Sequence, residues 1–336
     1  MTSCTIPNGY KSLLTVQETE RAIKYVKDTF EHTFADAMRL LRISAPLFVS
    51  SASGLNDNLN GVERPVSFGI RDMEDTPMEI VHSLAKWKRQ ALKDYGFGMH
   101  EGLYTDMNAI RRDEDTDNLH SVYVDQWDWE KVISREDRTR EYLENTVRVI
   151  VRVLAATELA ACAMFPALSP AVCAEVKFVT SQQLEDEYPG LTPKQREDEI
   201  TRRYRTVFLE NIGGALASGK PHDGRAPDYD DWSLNGDILV WNDVLGHALE
   251  ISSMGIRVDE QTMQSQLRLS GHEERASLPF HRALLAGELP LSIGGGLGQS
   301  RICMLLLKKC HIGEVQASQW PDETRRVCGE KGVFLL

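Results

Sequence analysis

No stretch of this 336-residue chain approaches the roughly eighteen uninterrupted apolar residues that a membrane span requires. Met1 to Leu14 have neither the charged-then-apolar order of a signal peptide nor the arginine-rich character of an organelle-targeting segment. Both absences point to the cytoplasm, with no membrane partner. Basic residues are also in short supply. Lys and Arg number 38 against 50 Asp and Glu, a net charge of −12, with no lysine-rich tail and no basic stripe. Phosphate backbones are gripped by clustered cations, so this balance argues against nucleic acid as a partner. The six cysteines (Cys4, Cys162, Cys173, Cys303, Cys310, Cys328) form no CxxC and no paired ligand spacing. They read as reduced, mostly buried thiols, and zinc is not expected.

The chain does have ample core material. Apolar residues make up 42% and charged residues 26%, the balance of a soluble globular protein. With no internal repeat, low-complexity tract or linker, residues 1–336 read as one compact domain. A capping box, Thr15 with Glu18, opens a first helix. Its apolar face runs through Ala22, Ile23, Val26, Phe30, Phe34, Met38 and Leu41. A second, buried helix is expected from about Glu136 to Met164. Short β-rich segments lie at Glu79–Val81, Ser121–Trp127, Val176–Thr180, Thr206–Leu209, Asp237–Trp241 and Leu249–Met254. They do not alternate regularly with helices, which favours an α+β fold with a largely antiparallel sheet flanked by helices. Lys220–Ser233, with two prolines, four aspartates and one glycine, reads as a loop and a candidate lid.

Four segments carry chemistry. Ser292 to Arg301 sets Gly294, Gly295, Gly296 and Gly298 before an apolar helical run, so a nucleotide can lie close to the backbone and near a helix start. Arg301 adds a planar cation for a base or a phosphate. His82 to Gln90 places Lys86, Lys88 and Arg89 on one helix, where a lysine facing inward would meet an anion; an ordinary basic face is the alternative. Around Ile110–Asp115 an arginine-acid turn leads into a strand on which Gln126, Asp128 and Glu130 share one face, a surface suited to an ammonium group. Asp237 and Glu250 fall on two β-segments that could form a hairpin, bringing together hard oxygen ligands of the kind that hold Mg²⁺. Arg257 is a candidate clamp for a carboxylate.

In this order the segments resemble the catalytic domain of class II aminoacyl-tRNA synthetases, nearest the aspartyl and asparaginyl subgroup. The first helix up to Ala45-Pro46 looks like their dimer-forming motif 1, Ile110–Glu130 like motif 2, and Gly294–Arg301 like motif 3. Longer strings are similar to the ammonia-dependent asparagine synthetases, the aspartate–ammonia ligase family. They are His82–Gln90 (HSLAKWKRQ), Glu101–Tyr104 (EGLY), His120–Glu130 (HSVYVDQWDWE), Ala226–Ser233 (APDYDDWS), Asn235–Trp241 (NGDILVW), Ser252–Arg257 (SSMGIR) and Ile293–Arg301 (IGGGLGQSR). The chain departs from the bacterial pattern in being shorter between Trp232 and Asn235, which bears on the lid rather than on the chemistry.

The resemblance implies amidation of L-aspartate by ammonia with ATP, giving asparagine, AMP and pyrophosphate through a β-aspartyl-adenylate. By position it implies that Arg111, or Arg112 one register away, grips the α-phosphate and that Arg301 stacks on adenine. Glu114, His120, Val122, Asp230, Glu250 and Gly298 complete the nucleotide set, with Asp237 and Glu250 on Mg²⁺. Gln126 and Asp128 read the α-ammonium of aspartate, Lys88 and Arg257 hold its α-carboxylate, and Ser83, Ser252 and Ser253 add hydrogen bonds. Asp57 falls at the ammonia end, where a carboxylate can attract ammonium and accept its proton. A homodimer is implied, and no anticodon-binding domain. Two rival readings are a tRNA-loading enzyme, opposed by the negative charge, and a silent regulatory paralogue, opposed by the intact motif positions. Glutamine as nitrogen donor is disfavoured because Cys4 stands behind Met1-Thr2-Ser3 and cannot become an N-terminal nucleophile by simple methionine removal.

Overall fold

The computed structural model describes residues 4–56 and 63–336, so Asp57 lies outside the described residues. Helix α1 (Val16–Met38) is followed by the short strands β1 (Leu40–Arg42), β2 (Phe48–Ser50), β3 (Ser67–Ile70) and β4 (Thr76–Ile80). Then come α2 (Ala85–Asp94), β5 (Gly102–Ile110), β6 (Tyr123–Val132), α3 (Arg140–Met164), β7 (Lys177–Thr180), α4 (Ser181–Glu187) and α5 (Pro193–Tyr204). The last third holds β8 (Thr206–Glu210), β9 (Asp230–Asn242), β10 (His247–Arg257), α6 (Glu260–Ser270), α7 (Pro279–Leu285), β11 (Ser292–Gly298), α8 (Gln299–Leu306) and α9 (Asp322–Glu330).

Among the described residues eight strands form one sheet in the order β1-β5-β6-β11-β10-β9-β8-β7. Its inner pairs are antiparallel and only the two outermost, β1 with β5 and β7 with β8, are parallel. The α+β reading with a largely antiparallel sheet therefore holds. A second sheet of three strands, β2-β4-β3, lies apart from it.

Both long helices form for the reasons visible in the sequence. Thr15 caps α1 through a reciprocal capping box with Glu18. The helix stops at Met38 because Arg39 turns left-handed at φ 59°. Leu41, counted on the helix's apolar face in sequence, thus falls on β1 and is 62% exposed. Helix α3 starts four residues later than its apolar spacing suggests. Asp137 accepts the Ser134 N–H at 2.8 Å and holds a turn, and Thr139 supplies the cap. Both helices pack on one face of the sheet. Phe30 stacks on Trp127 at 4.8 Å between ring centroids, and Phe34 meets Trp129 edge-on at 6.0 Å.

Alternation along β6 decides what the opposite face carries. With Trp127 and Trp129 committed to α1, Gln126, Asp128 and Glu130 face the other way. There they oppose the glycines of β11, with Gly294 paired to Glu130, Gly296 to Asp128 and Gly298 to Gln126. Gly294 is sterically required, because the groups it faces are locked to each other, whereas at Gly296 the Gln126 side chain would have to move. A Cβ on Gly294 would sit 2.0 Å from Glu130 Oε2 and 2.6 Å from Arg257 Nη2, and one on Gly296 would sit 2.3 Å from Gln126 Oε1. Gly294→Ala is expected to destabilise the protein by about 1–3 kcal/mol through overpacking. The measurement is a urea melt, in which the midpoint should fall at unchanged slope.

Candidate active site

A cavity of about 360 Å³ opens over the middle of this sheet. Its floor is β6, β10 and β11, and the loop before β9 makes one wall. Ten residues singled out in sequence line it: Arg111, Glu114, His120, Gln126, Glu250, Ser252, Ser253, Gly296, Gly298 and Arg301. They come from segments nearly two hundred positions apart in the chain, gathered because β6, β11 and β10 are neighbours.

The two cations are presented differently. Arg111 follows β5, and its backbone N–H donates to the carbonyl of Val122, which does not itself line the cavity, at 2.8 Å. Its Nε is buried and has no hydrogen-bond partner among the described residues, and it stands 4.0 Å from the Glu114 carboxylate. Arg112 is exposed and does not line the cavity, which separates the two registers. Arg301, in the first turn of α8, donates to the Glu250 carbonyl at 3.1 Å and stands 3.7 Å from its carboxylate. The helix start itself is not a free anion site. Asp125 accepts the Ser300 N–H at 3.1 Å and its hydroxyl at 2.9 Å, filling the place that the sequence suggested for a phosphate.

Asp237 and Glu250 come from the paired strands β9 and β10. Burial pushes Asp237 up to about 8, opposed by Arg225 and reinforced by the nearby carboxylate of Glu250. Burial also works on Glu250, but Arg301 and Arg225 outweigh it and hold Glu250 below its ordinary value. Arg225 lines the cavity and its guanidinium pairs with Asp237, while its Nε is buried with no hydrogen-bond partner among the described residues. No periodicity or motif singled it out in sequence. Two carboxyl groups that share the pull of Arg225 offer hard oxygen donors of the kind a divalent ion takes, and such an ion would favour the ionised form of Asp237.

Beside the cavity, on the same face of β6, the picture departs from the sequence reading. The carboxylate face of β6 is interior, and every charge on it is paired. Arg257 donates Nε to Glu130 Oε1 and Oε2 at 3.0 and 3.1 Å and Nη2 to Oε2 at 2.8 Å, and its Nη1 pairs with Asp230. Ser292 donates to Glu130 at 2.7 Å. Lys88 pairs with Asp128 and also donates to the carbonyls of Trp129 and Gly295 at 3.0 and 3.2 Å. Lys86, Lys88 and Arg89 are all buried, so α2 does not carry a solvated basic face. Burial drives Lys88 below the usual lysine range against the pull of Asp128 and Glu130. For Glu130, burial raises and Arg257 lowers, and the arginine wins. Lys88, Arg257, Asp128 and Asp230 thus form a buried ionic layer and do not line the cavity. Ser83 lies near them and accepts the Ala85 N–H at 3.1 Å.

The loop before β9 is better anchored than a free lid. His222 bonds Glu197 at 3.0 Å, and buried Asp228 meets His281 at 2.9 Å and Lys86 at 3.3 Å. Strand β9 begins at Asp230, so Asp230 to Ser233 belong to the sheet and the loop proper ends at Tyr229. Asp223, Gly224, Arg225, Ala226 and Tyr229 face the cavity. No helix among the described residues is long and apolar enough to cross a membrane.

The family model described as aspartate-ammonia ligase matches residues 17–332. The aspartate–ammonia ligase of Levilactobacillus brevis is 56% identical over 98% of this chain and 99% of its own, and that of Clostridium tetani is 58% identical over 98% and 97%. Among solved structures, asparaginyl-tRNA synthetase from Pyrococcus horikoshii with asparaginyl-adenylate aligns at TM-score 0.63 and 16% identity, over 90% of this chain and 70% of that one. The Entamoeba histolytica asparaginyl-tRNA synthetase, also with asparaginyl-adenylate, gives TM-score 0.63 at 15% identity. The chain spans 66% of its length. At such identities the likeness carries the fold alone.

Proposed function

The chain belongs to the aspartate–ammonia ligase family, and from that premise we propose that it activates L-aspartate with ATP and transfers the product to ammonia. In this reading the β-carboxylate attacks the α-phosphorus in line, pyrophosphate leaves, and a β-aspartyl-adenylate forms. Ammonia then attacks the β-carbonyl carbon, and AMP leaves with asparagine formed. The observation that supports the reading is a set of buried polar atoms on residues lining one cavity, Arg111 Nε, Arg225 Nε and Ser252 Oγ, that have no hydrogen-bond partner among the described residues. Buried polar groups are nearly always satisfied, and a polyanionic ligand with hydrogen-bonding groups suits this set of donors.

Arg111 takes the α-phosphate and stabilises the charge that grows there as the carboxylate attacks. Arg301 lies over the adenine as a flat cation, with Glu114, His120, Val122 and Gly298 completing the nucleotide set. Asp237 and Glu250 hold Mg²⁺, which supplies charge neutralisation of the polyphosphate. For this Arg225 must release Asp237, and the polyphosphate is the anion to which it can turn. Gln126, Ser252 and Ser253 contact aspartate, and Asp57 serves the ammonia end. Lys88 and Arg257, expected as direct ligands of the α-carboxylate, contribute through the groups they hold: Lys88 orients Asp128, and Arg257 fixes Glu130 and Asp230. The exposed Leu41 on edge strand β1 supports a homodimer, and the whole chain acts as one catalytic domain in the cytoplasm.

The test is direct. Protein incubated with aspartate, Mg-ATP and ammonium, without tRNA, is expected to form asparagine and AMP in equal amounts. ADP in place of AMP would rule out the adenylate, and adenylation that stalls without tRNA would return the protein to the synthetases.

A further inference from the structure

The scattered cysteines converge after all, away from the nucleotide cavity. The sulfurs of Cys4 and Cys328 and a ring nitrogen of His311 lie within 4.8 Å of one another, and the two Sγ atoms are 3.8 Å apart. Cys4 is partly exposed, whereas Cys328 and His311 are buried. The imidazole is fixed: its Nδ1 accepts the Gly313 N–H at 3.0 Å and its ring packs edge-on against Trp320. With Nδ1 an acceptor, the proton of the neutral ring is on Nε2. That nitrogen is buried with no hydrogen-bond partner among the described residues.

This tautomer decides between two chemistries. A metal-bound histidine ordinarily donates its second N–H to a neighbour, whereas here the neighbour donates to it. Metal ligation through Nε2 would leave the ring with no proton at all. A ring N–H beside two sulfurs instead favours a thiolate, the form of cysteine that reacts with oxidants. We propose that Cys4 and Cys328 are a peroxide-reactive dithiol, in which Cys4 is the attacking thiolate, Cys328 the resolving thiol, and His311 the positioning residue.

The step balances as follows. Cys4 thiolate attacks one oxygen of hydrogen peroxide, the O–O bond breaks, and a sulfenic acid and hydroxide result. The Cys328 sulfur attacks the sulfenyl sulfur, the S–O bond breaks, and the departing hydroxide and the thiol proton leave as water. Overall two thiols and one peroxide give one disulfide and two waters, the sulfurs supplying both electrons. The sulfurs must close from 3.8 Å to about 2.05 Å, a movement asked of Cys4 in the chain's first described residues. The groups around the pair are consistent with this order of reaction. Its hydrogen bond from Cys328 brings Cys4 down to about 5, against burial and with help from His311, while Asp117 works the other way. Cys328 is pushed up by the same bond, by burial, and by Cys310 and Glu314, while Tyr10 bonds Glu314 beside them.

The experiment uses the full chain under native conditions with hydrogen peroxide as the probe. Titratable thiols should fall from six to four, reversibly with dithiothreitol, and a non-reducing peptide map should join Cys4 to Cys328. Cys4→Ser, a change at a partly exposed position, should keep its remaining thiols under the same exposure. Before oxidation, iodoacetamide at mildly acidic pH should label Cys4 at least roughly tenfold faster than Cys162, whose thiol burial holds high. In His311→Gln the pH midpoint of that labelling should rise. Six thiols surviving peroxide, or a link from Cys4 to Cys310, would overturn the dithiol, and an unmoved midpoint would overturn the role of His311.

Discussion

Arg257→Ala is expected to cost about 3–5 kcal/mol of folding stability, among the largest losses available to a single substitution here. The arginine is 3% exposed and neutralises Glu130 and Asp230 at once, and those carboxylates are 0% and 1% exposed. Removing it strands two buried carboxylates, with Glu130 left to Lys88, 3.8 Å away and already paired with Asp128. The pH dependence carries a sign that can be checked. In the intact protein Glu130 sits below its ordinary value, so its contribution is present above the unfolded carboxylate range and is lost as pH falls through the folded value. Asp230, raised by burial despite Arg257, contributes in the opposite sense. Without the arginine both carboxylates should be raised, so the variant should regain stability relative to wild type as pH falls. Denaturant melts across that range provide the measurement. A second substitution, Glu130→Gln, should recover part of the loss and thereby measure the coupling. If the variant instead kept its stability and lost only affinity for aspartate, Arg257 would be a substrate ligand rather than a framework cation.

The same residue marks where the sequence stops being legible. Lys88 and Arg257 could be recognised as inward-facing cations from their motifs, but not the carboxylates they would meet. Their partners are set by register, which pairs Gly294 with Glu130 and turns the even-numbered side chains of β6 away from α1. Where local chemistry was strong, the reading held: the capping box at Thr15, the Asp237–Glu250 strand pair and the glycine floor all stand as their residue types require. It failed where a third element intruded. Asp125 looked like one more acid in an acidic strand, but α8 brings the Ser300 N–H onto it. Arg225 looked like a loop residue, but β9 brings Asp237 under it. The cysteine cluster is the plainest case. Ligand spacing along a chain reveals only sites built within one segment, and this one is assembled from both ends of the chain.

Arg111→Ala should leave the fold intact and lower kcat/KM for ATP by about 10²–10³-fold, the loss seen when one preorganised donor to a developing oxyanion is removed. The argument rests on how little the arginine does for the apo protein. Among the described residues its one ion pair is to Glu114, at 4.0 Å, and its Nε has no partner, so its removal strands no buried charge there. The contrast with Arg257, whose guanidinium is fully engaged, makes the pair a matched test of stability against chemistry. Arg111→Lys should recover only part of the rate, because an ammonium gives one point contact where the guanidinium offers a planar fork. The loss should appear in kcat as well as in KM, since the contact strengthens while charge accumulates on the α-phosphoryl oxygens. Aspartate-dependent exchange of pyrophosphate into ATP isolates that half-reaction from the attack of ammonia. Near-normal exchange in Arg111→Ala would remove this arginine from the α-phosphate. The exposed Arg112, substituted alone, should leave the exchange rate within a few-fold of wild type.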